Sequence, residues 1–104
     1  MARKKQEEMR RPRTGNIHAR IVDQRKGLQV IENVFAVRVL SEKYRLLIME
    51  DYTPILGKVE GDVVILSTDG EITYDNIYAF FKLQHNEFTL LIDHEIMLEK
   101  ERET

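Results

Sequence analysis

The chain predicts an all-β fold, a small β-sandwich of about eight to ten short strands. Three observations carry this. Turn signals recur every eight to twelve residues between Gly27 and Asn86. The runs between them are rich in β-branched and aromatic residues, which suit a pleated, half-buried surface. No strand–helix–strand unit of about 30 residues occurs, so a doubly wound parallel sheet is not expected. The expected sandwich domain spans residues 16–95, preceded by a basic flexible arm (1–15) and followed by a charged C-terminal tail (96–104).

The elements follow in order. Ile17, Ala19 and Ile21 alternate with His18, Arg20 and Val22, the period of two of a strand with one buried face. Gln24-Arg25-Lys26-Gly27 reads as a turn, Leu28–Ile31 as a short strand, and Glu32-Asn33 as a bend. Val34–Leu40 is a β-branched run broken by Ser41-Glu42-Lys43, and Tyr44–Met49 is another, ended by Glu50-Asp51. Pro54 lacks an amide donor and should start a strand or sit at an edge. Glu60-Gly61-Asp62 is a turn signal before Val63-Val64-Ile65-Leu66. Asp69-Gly70 is the strongest hairpin signal in the chain, with Ile72-Thr73-Tyr74 leaving it. Ile77–Leu83, the turn Gln84-His85-Asn86-Glu87 and Phe88–Ile92 form a second hairpin. Glu95–Thr104 is charged and helix-prone, but about ten residues make only a marginal helix in water.

The 104 residues support one domain. Their formal charge of −2 hides an asymmetry: residues 1–26 carry nine basic side chains against three acidic ones, +6, and the remainder carries −8. The arm holds Arg3, Lys4, Lys5, Arg10, Arg11 and Arg13, with almost nothing apolar to bury, and is expected to be disordered. Such an arm fits contact with an acidic partner or nucleic acid. It has no aromatic residue to stack on bases, which weakens the nucleic-acid reading. The absence of cysteine excludes a disulfide framework, thiolate metal sites and a cysteine nucleophile. Apolar runs fall far short of the roughly 20 residues of a membrane helix, and no apolar segment of a secretory signal follows the basic start. The expected location is cytoplasmic, peripheral to a membrane if the chain belongs to a membrane complex.

Catalysis and metal binding need convergent groups, and the pattern offers none. His18, His85 and His94 have no ligand spacing. In Asp93-His94-Glu95, neighbours on a strand point to opposite faces, so only Asp93 and Glu95 share a side. Adjacent acids such as Glu50-Asp51 are usually solvated. Ser41 and Ser67 lack a nucleophile-elbow context, and Gly57 and Gly61 lack the spacing of a phosphate loop. No enzymatic activity, no cofactor and no metal is therefore expected. Among the aromatic residues Tyr74, Tyr78, Phe80, Phe81 and Phe88, most are expected in the core. Tyr78 and Phe80 share a face and Phe81 takes the other; if the Tyr78–Phe80 face is core, Phe81 faces a partner.

The order of these elements resembles the N-terminal β-sandwich domain of the epsilon subunit of F-type ATP synthases. That family opens with a strand close to R-I-V-T-P-E-G, then a short strand, then V-x-S-V. Here Arg20-Ile21-Val22-Asp23-Gln24-Arg25-Lys26-Gly27 precedes Leu28–Glu32 and Val34-Phe35-Ala36-Val37, with one extra residue before Gly27. The family loop G-I-L-P-G-H-A-P-L corresponds to Leu47-Ile48-Met49-Glu50-Asp51-Tyr52-Thr53-Pro54-Ile55, with the Pro-Gly-His centre replaced. Glu60-Gly61-Asp62 before Val63-Val64-Ile65 stands where the family has K-P-G before V-V-x-I. From Asp69-Gly70 to Glu95, residues Asn86, Thr89, Leu91, Asp93 and Glu95 fall where the family's closing hairpin places them. The similarity covers about Ile17–Glu95; the basic arm is atypical, and only Ile96–Thr104 stands where the family has a C-terminal helical hairpin.

The resemblance implies a non-catalytic rotor-stalk subunit that couples the central shaft subunit to the loops of the membrane ring. It implies partner contacts at Glu50, Asp51, Tyr52, Thr53 and Pro54, and an apolar sandwich face packed on the shaft. The alternative is a diverged sandwich that serves as an interaction or assembly module through its basic arm.

Overall fold

A computed structural model of the chain describes residues 15–95; the expected arm and C-terminal tail lie outside the described residues. Six strands follow in sequence: β1 (Ile17–Asp23), β2 (Gly27–Ser41), β3 (Arg45–Met49), β4 (Ile55–Ser67), β5 (Gly70–Gln84) and β6 (Glu87–Glu95). The fold is all-β, with no helix among the described residues.

The six strands close into a flattened barrel because three of them serve two sheets. The pairing order is β1-β6-β5-β4-β2-β3, with β1 also paired to β2. Val34 pairs with Ile17 of β1 and with Ser67 of β4, so β2 has those neighbours on opposite edges. The first half of β2 continues a sheet with β1, β6, the second half of β5 and the first half of β4. The second half of β2 forms the other sheet with β3, the second half of β4 and the first half of β5. The result is a sandwich of five and four strand positions built from six chain segments, nine in all.

The runs expected as eight to ten short strands lie on six continuous strands, because three stretches between runs bend the chain without ending a strand. Glu32-Asn33, Glu60-Gly61-Asp62 and Asp75-Asn76 do not end strands; they bend them. Register shifts fall between Val34 and Ala36 on β2 and between Gly61 and Val63 on β4. Asn33 (φ 59°) and Asn76 (φ 50°) take the left-handed conformation that asparagine tolerates well. Asn76 N–H donates to Asp62 Oδ1 at 2.9 Å, so the bends of β4 and β5 are tied together. At Gly61 a Cβ would overlap the Leu40 carbonyl oxygen; only glycine lets β2 and β4 approach so closely there.

The other turns stand where the sequence places them. Thr68-Asp69 forms the turn between β4 and β5, and Gly70, at φ 142°, opens β5. His85 (φ 52°) and Asn86 (φ 61°) make the two-residue hairpin between β5 and β6, with the positive φ at both positions of a type I′ turn. Pro54 immediately precedes β4.

Inside, the core is continuous and apolar. Ile17, Ala19 and Ile21 of β1 meet Phe88, Leu90 and Ile92 of β6 and Ile77, Ala79, Phe81 and Leu83 of β5. The opposite sheet adds Val37, Val39, Ile48, Val63 and Ile65. Each of the larger of these side chains contributes about 1.5–3 kcal/mol by leaving water. No polar or charged residue is buried among the described residues.

Candidate partner-binding surface

Two surface features carry partner chemistry. The first is the loop between β3 and β4. Asp51 sits at φ 63°, its N–H donates to Asn86 Oδ1 at 2.7 Å, and Asn86 Nδ2 donates back to its carboxylate at 3.3 Å. Asn16 Nδ2 donates to Glu50 Oε2 at 2.7 Å, and Tyr52 N–H donates to the Met49 carbonyl at 3.2 Å. Tyr52 packs on the core, while Glu50, Asp51, Thr53 and Pro54 are exposed. The loop is thus pinned at the end of the sandwich where β1 begins and the β5–β6 hairpin turns. Its two carboxylates face solvent from a fixed position.

The second feature was not expected from sequence. Leu28 and Val22 are cross-strand partners, Val22 pairs with Leu91, and Leu91 pairs with Phe80. All four point outward, at 63%, 38%, 47% and 46% exposure. They form one lateral apolar row across β2, β1, β6 and β5. Leu56, 73% exposed and paired with Lys82, lies diagonally beside Phe80 and Leu91. The adjoining row on the same face is Arg20, Thr89 and Lys82, paired across β1, β6 and β5. An apolar row of this length, bordered by cations, is the kind of surface that monomers seldom leave uncovered.

Phe81 is a correction. It was the expected partner contact, yet it is 2% exposed and stacks on Phe88 with centroids 6.0 Å apart and an interplanar angle of 28°. The faces of β5 are the reverse of the premise: Ile77, Ala79, Phe81 and Leu83 point inward, and Tyr78 and Phe80 point outward. The signal was in the sequence. Lys82 and Gln84 share the parity of Tyr78 and Phe80, and two polar residues at the end of a strand face mark it as the wet one.

Several titratable groups among the described residues form pairs. His18 Nδ1 lies 2.6 Å from Glu32 Oε1, both exposed. His94 Nδ1 lies 2.8 Å from Asp93 Oδ2, with the His94 ring edge-on to Tyr78 at 5.2 Å. Among the described residues, no three metal-binding side chains gather. Two tyrosines tie the sandwich's corners: Tyr74 donates to Gln29 Oε1 at 2.8 Å, and Tyr44 donates to the Lys58 carbonyl. Burial raises the Tyr74 hydroxyl's pKa above 10.0, and the Asp23 carboxylate adds to the rise. Burial also raises that of Tyr44, partly offset by a hydrogen bond with Ser41. No helix among the described residues is long and apolar enough to cross a membrane. The basic arm residues Arg3, Lys4, Lys5, Arg10, Arg11 and Arg13 lie outside the described residues.

The sequence matches no family model and no curated protein. Among solved structures, the chain is similar in fold to one from the cryo-EM structure of the Tetrahymena thermophila mitochondrial ATP synthase, central stalk and c-ring. The TM-score is 0.60 at 11% sequence identity, over 78% of this chain and 66% of that one. The match thus spans just under two thirds of that chain's length, and at this identity it shows a shared fold.

Proposed function

We propose that the chain is a non-catalytic, epsilon-like subunit of a rotary ATP synthase stalk. In this reading it acts in the cytoplasm, peripheral to the membrane, and couples the central shaft to the membrane ring during proton transport. The observation that carries it is the outward apolar row Leu28, Val22, Leu91 and Phe80. A rotor coupling needs a stiff body with one face covered by a partner, and a closed sandwich with an exposed apolar row meets both needs. The fold likeness to a chain of an ATP synthase central stalk supports the same reading. The row would pack on the shaft subunit, with Arg20 and Lys82 steering acidic groups of that partner. The pinned loop Glu50–Pro54 would meet the ring's polar loops. No cofactor is needed for this role.

Co-purification with the shaft subunit tests the reading. The intact protein should hold the shaft subunit, and Leu91→Glu, which puts a charge in the middle of the row, should release it with the fold unchanged. An intact protein that stays monomeric in the presence of the shaft subunit would overturn the proposal.

The charge asymmetry favours a second reading, an assembly module whose basic arm contacts an acidic partner or nucleic acid. In that case deletion of residues 1–15 should abolish an oligomer or complex seen by light scattering. Binding to nucleic acid should fall steeply with salt.

A further inference from the structure

The first half of β4 is an open strand edge beside an apolar pocket. Glu60 turns its N–H to Ser41 Oγ and its carbonyl to the Glu42 N–H, each at 3.1 Å, and the Lys58 carbonyl accepts from the Tyr44 hydroxyl. These groups point away from β5, the partner on the other edge. The period of two then places the N–H and carbonyl of Leu56 and the N–H of Lys58 on this same open edge. Among the described residues no strand pairs with it; β2 joins β4 only from Gly61 onward. A pocket of about 480 Å³ lies alongside, between Tyr44 and Leu46 on one side and Ile55–Lys58 on the other. Gly57 gives it depth: a Cβ there would come within 2.6 Å of the Phe81 ring, which lines the pocket beneath.

We propose that this edge binds an extended peptide of a partner protein by strand addition, with an apolar residue in the pocket and acidic residues flanking it. The three free backbone groups lie in a register that only an extended chain can meet, because a helix has spent its own on internal bonds. The pocket takes one face of the added strand. Lys43 and Lys58 line it against the single acid Glu60, which favours a peptide with carboxylates beside its apolar residue. This site meets the apolar surface at Leu56, and it does not depend on the stalk assignment.

The test uses the full chain and a labelled, capped heptapeptide, Glu-Val-Thr-Val-Thr-Val-Glu, with a Lys-flanked counterpart. Leu56→Pro removes a donor that no described residue uses, at a position where an edge strand accepts proline; Leu56→Ala keeps the donor and trims the side chain. The acidic peptide should bind and slow hydrogen exchange at the Leu56 and Lys58 amides. Leu56→Pro should weaken it by about tenfold or more, Leu56→Ala by only about threefold, and the Lys-flanked peptide should bind weakly. No binding at millimolar peptide, or equal losses in the two variants, would overturn the proposal. So would a Leu56 amide already protected in the protein alone, because the edge would then be occupied by a second copy or by residues 96–104.

Discussion

Phe80 and Phe81 are adjacent in sequence, and the structure assigns them opposite fates. Phe81→Ala removes a ring that is 2% exposed and stacked on Phe88. A buried phenylalanine truncated in this way costs about 3–5 kcal/mol, the transfer of the ring plus the cavity it leaves. Phe80 is 46% exposed, so its truncation gives up roughly half of a full burial, about 1 kcal/mol. Domains of this size have about 5–15 kcal/mol in total, so the first change consumes a large share of the stability and the second does not. Urea unfolding followed by circular dichroism measures both. With a slope of about 1.5 kcal/mol per molar, Phe81→Ala should lower the midpoint by about 2–3 M and Phe80→Ala by less than about 1 M. Under the stalk proposal, binding to the shaft subunit should show the reverse order, with Phe80→Ala impaired while still folded. A Phe80→Ala midpoint as low as that of Phe81→Ala would refute the assignment of the two faces.

Gly61→Ala should cost about 1–3 kcal/mol, because its Cβ meets the Leu40 carbonyl and neither backbone can move aside; thermal unfolding reads the loss. Asn86→Ala should lower stability by about 1–2 kcal/mol and speed exchange of the Asp51 amide, since it removes two bonds to Asp51 and puts alanine at φ 61°. At alkaline pH two tyrosines contribute. Tyr44 and Tyr74 have pKa values raised above 10.0 in the folded state, so the folded protein holds these protons more tightly than the unfolded chain. Their contribution is intact below pH 10.0 and is lost as pH rises through the folded values. Unfolding midpoints across that range should fall, and Tyr74→Phe should flatten the fall.

Much of this was legible in the chain. Period-two alternation in Ile17–Ile21 places β1 and its buried face, because one wet face forces that pattern. The hairpin turns within Thr68–Glu71 and at His85-Asn86 are local chemistry and stand as expected. The loop Glu50–Pro54 is a surface loop, as its composition indicates. What failed were the bends. Asn33, Gly61 and Asn76 are residues that serve a hairpin turn and a mid-strand bulge equally well. Local propensity cannot tell the two apart; the choice depends on whether the flanking runs find one partner or two.

The candidate surface divides in the same way. Period-two parity in β5 was sufficient to show Phe80 outside and Phe81 inside, once Lys82 and Gln84 were counted with Phe80. The lateral row was not visible, because Leu28, Val22, Leu91 and Phe80 come from four strands and only inter-strand register aligns them. By itself the sequence determined the all-β class, the alternation that buries one face of each strand, the end loop and the split of charge between arm and body. Those follow from side-chain transfer and backbone preference, which act locally. Tertiary structure alone decided that three strands bend to serve both sheets, which apolar residues remain outside, and that the first half of β4 has an edge no other described strand covers. Those depend on pairings between residues distant in the chain, whose register is set by packing two sheets against one core.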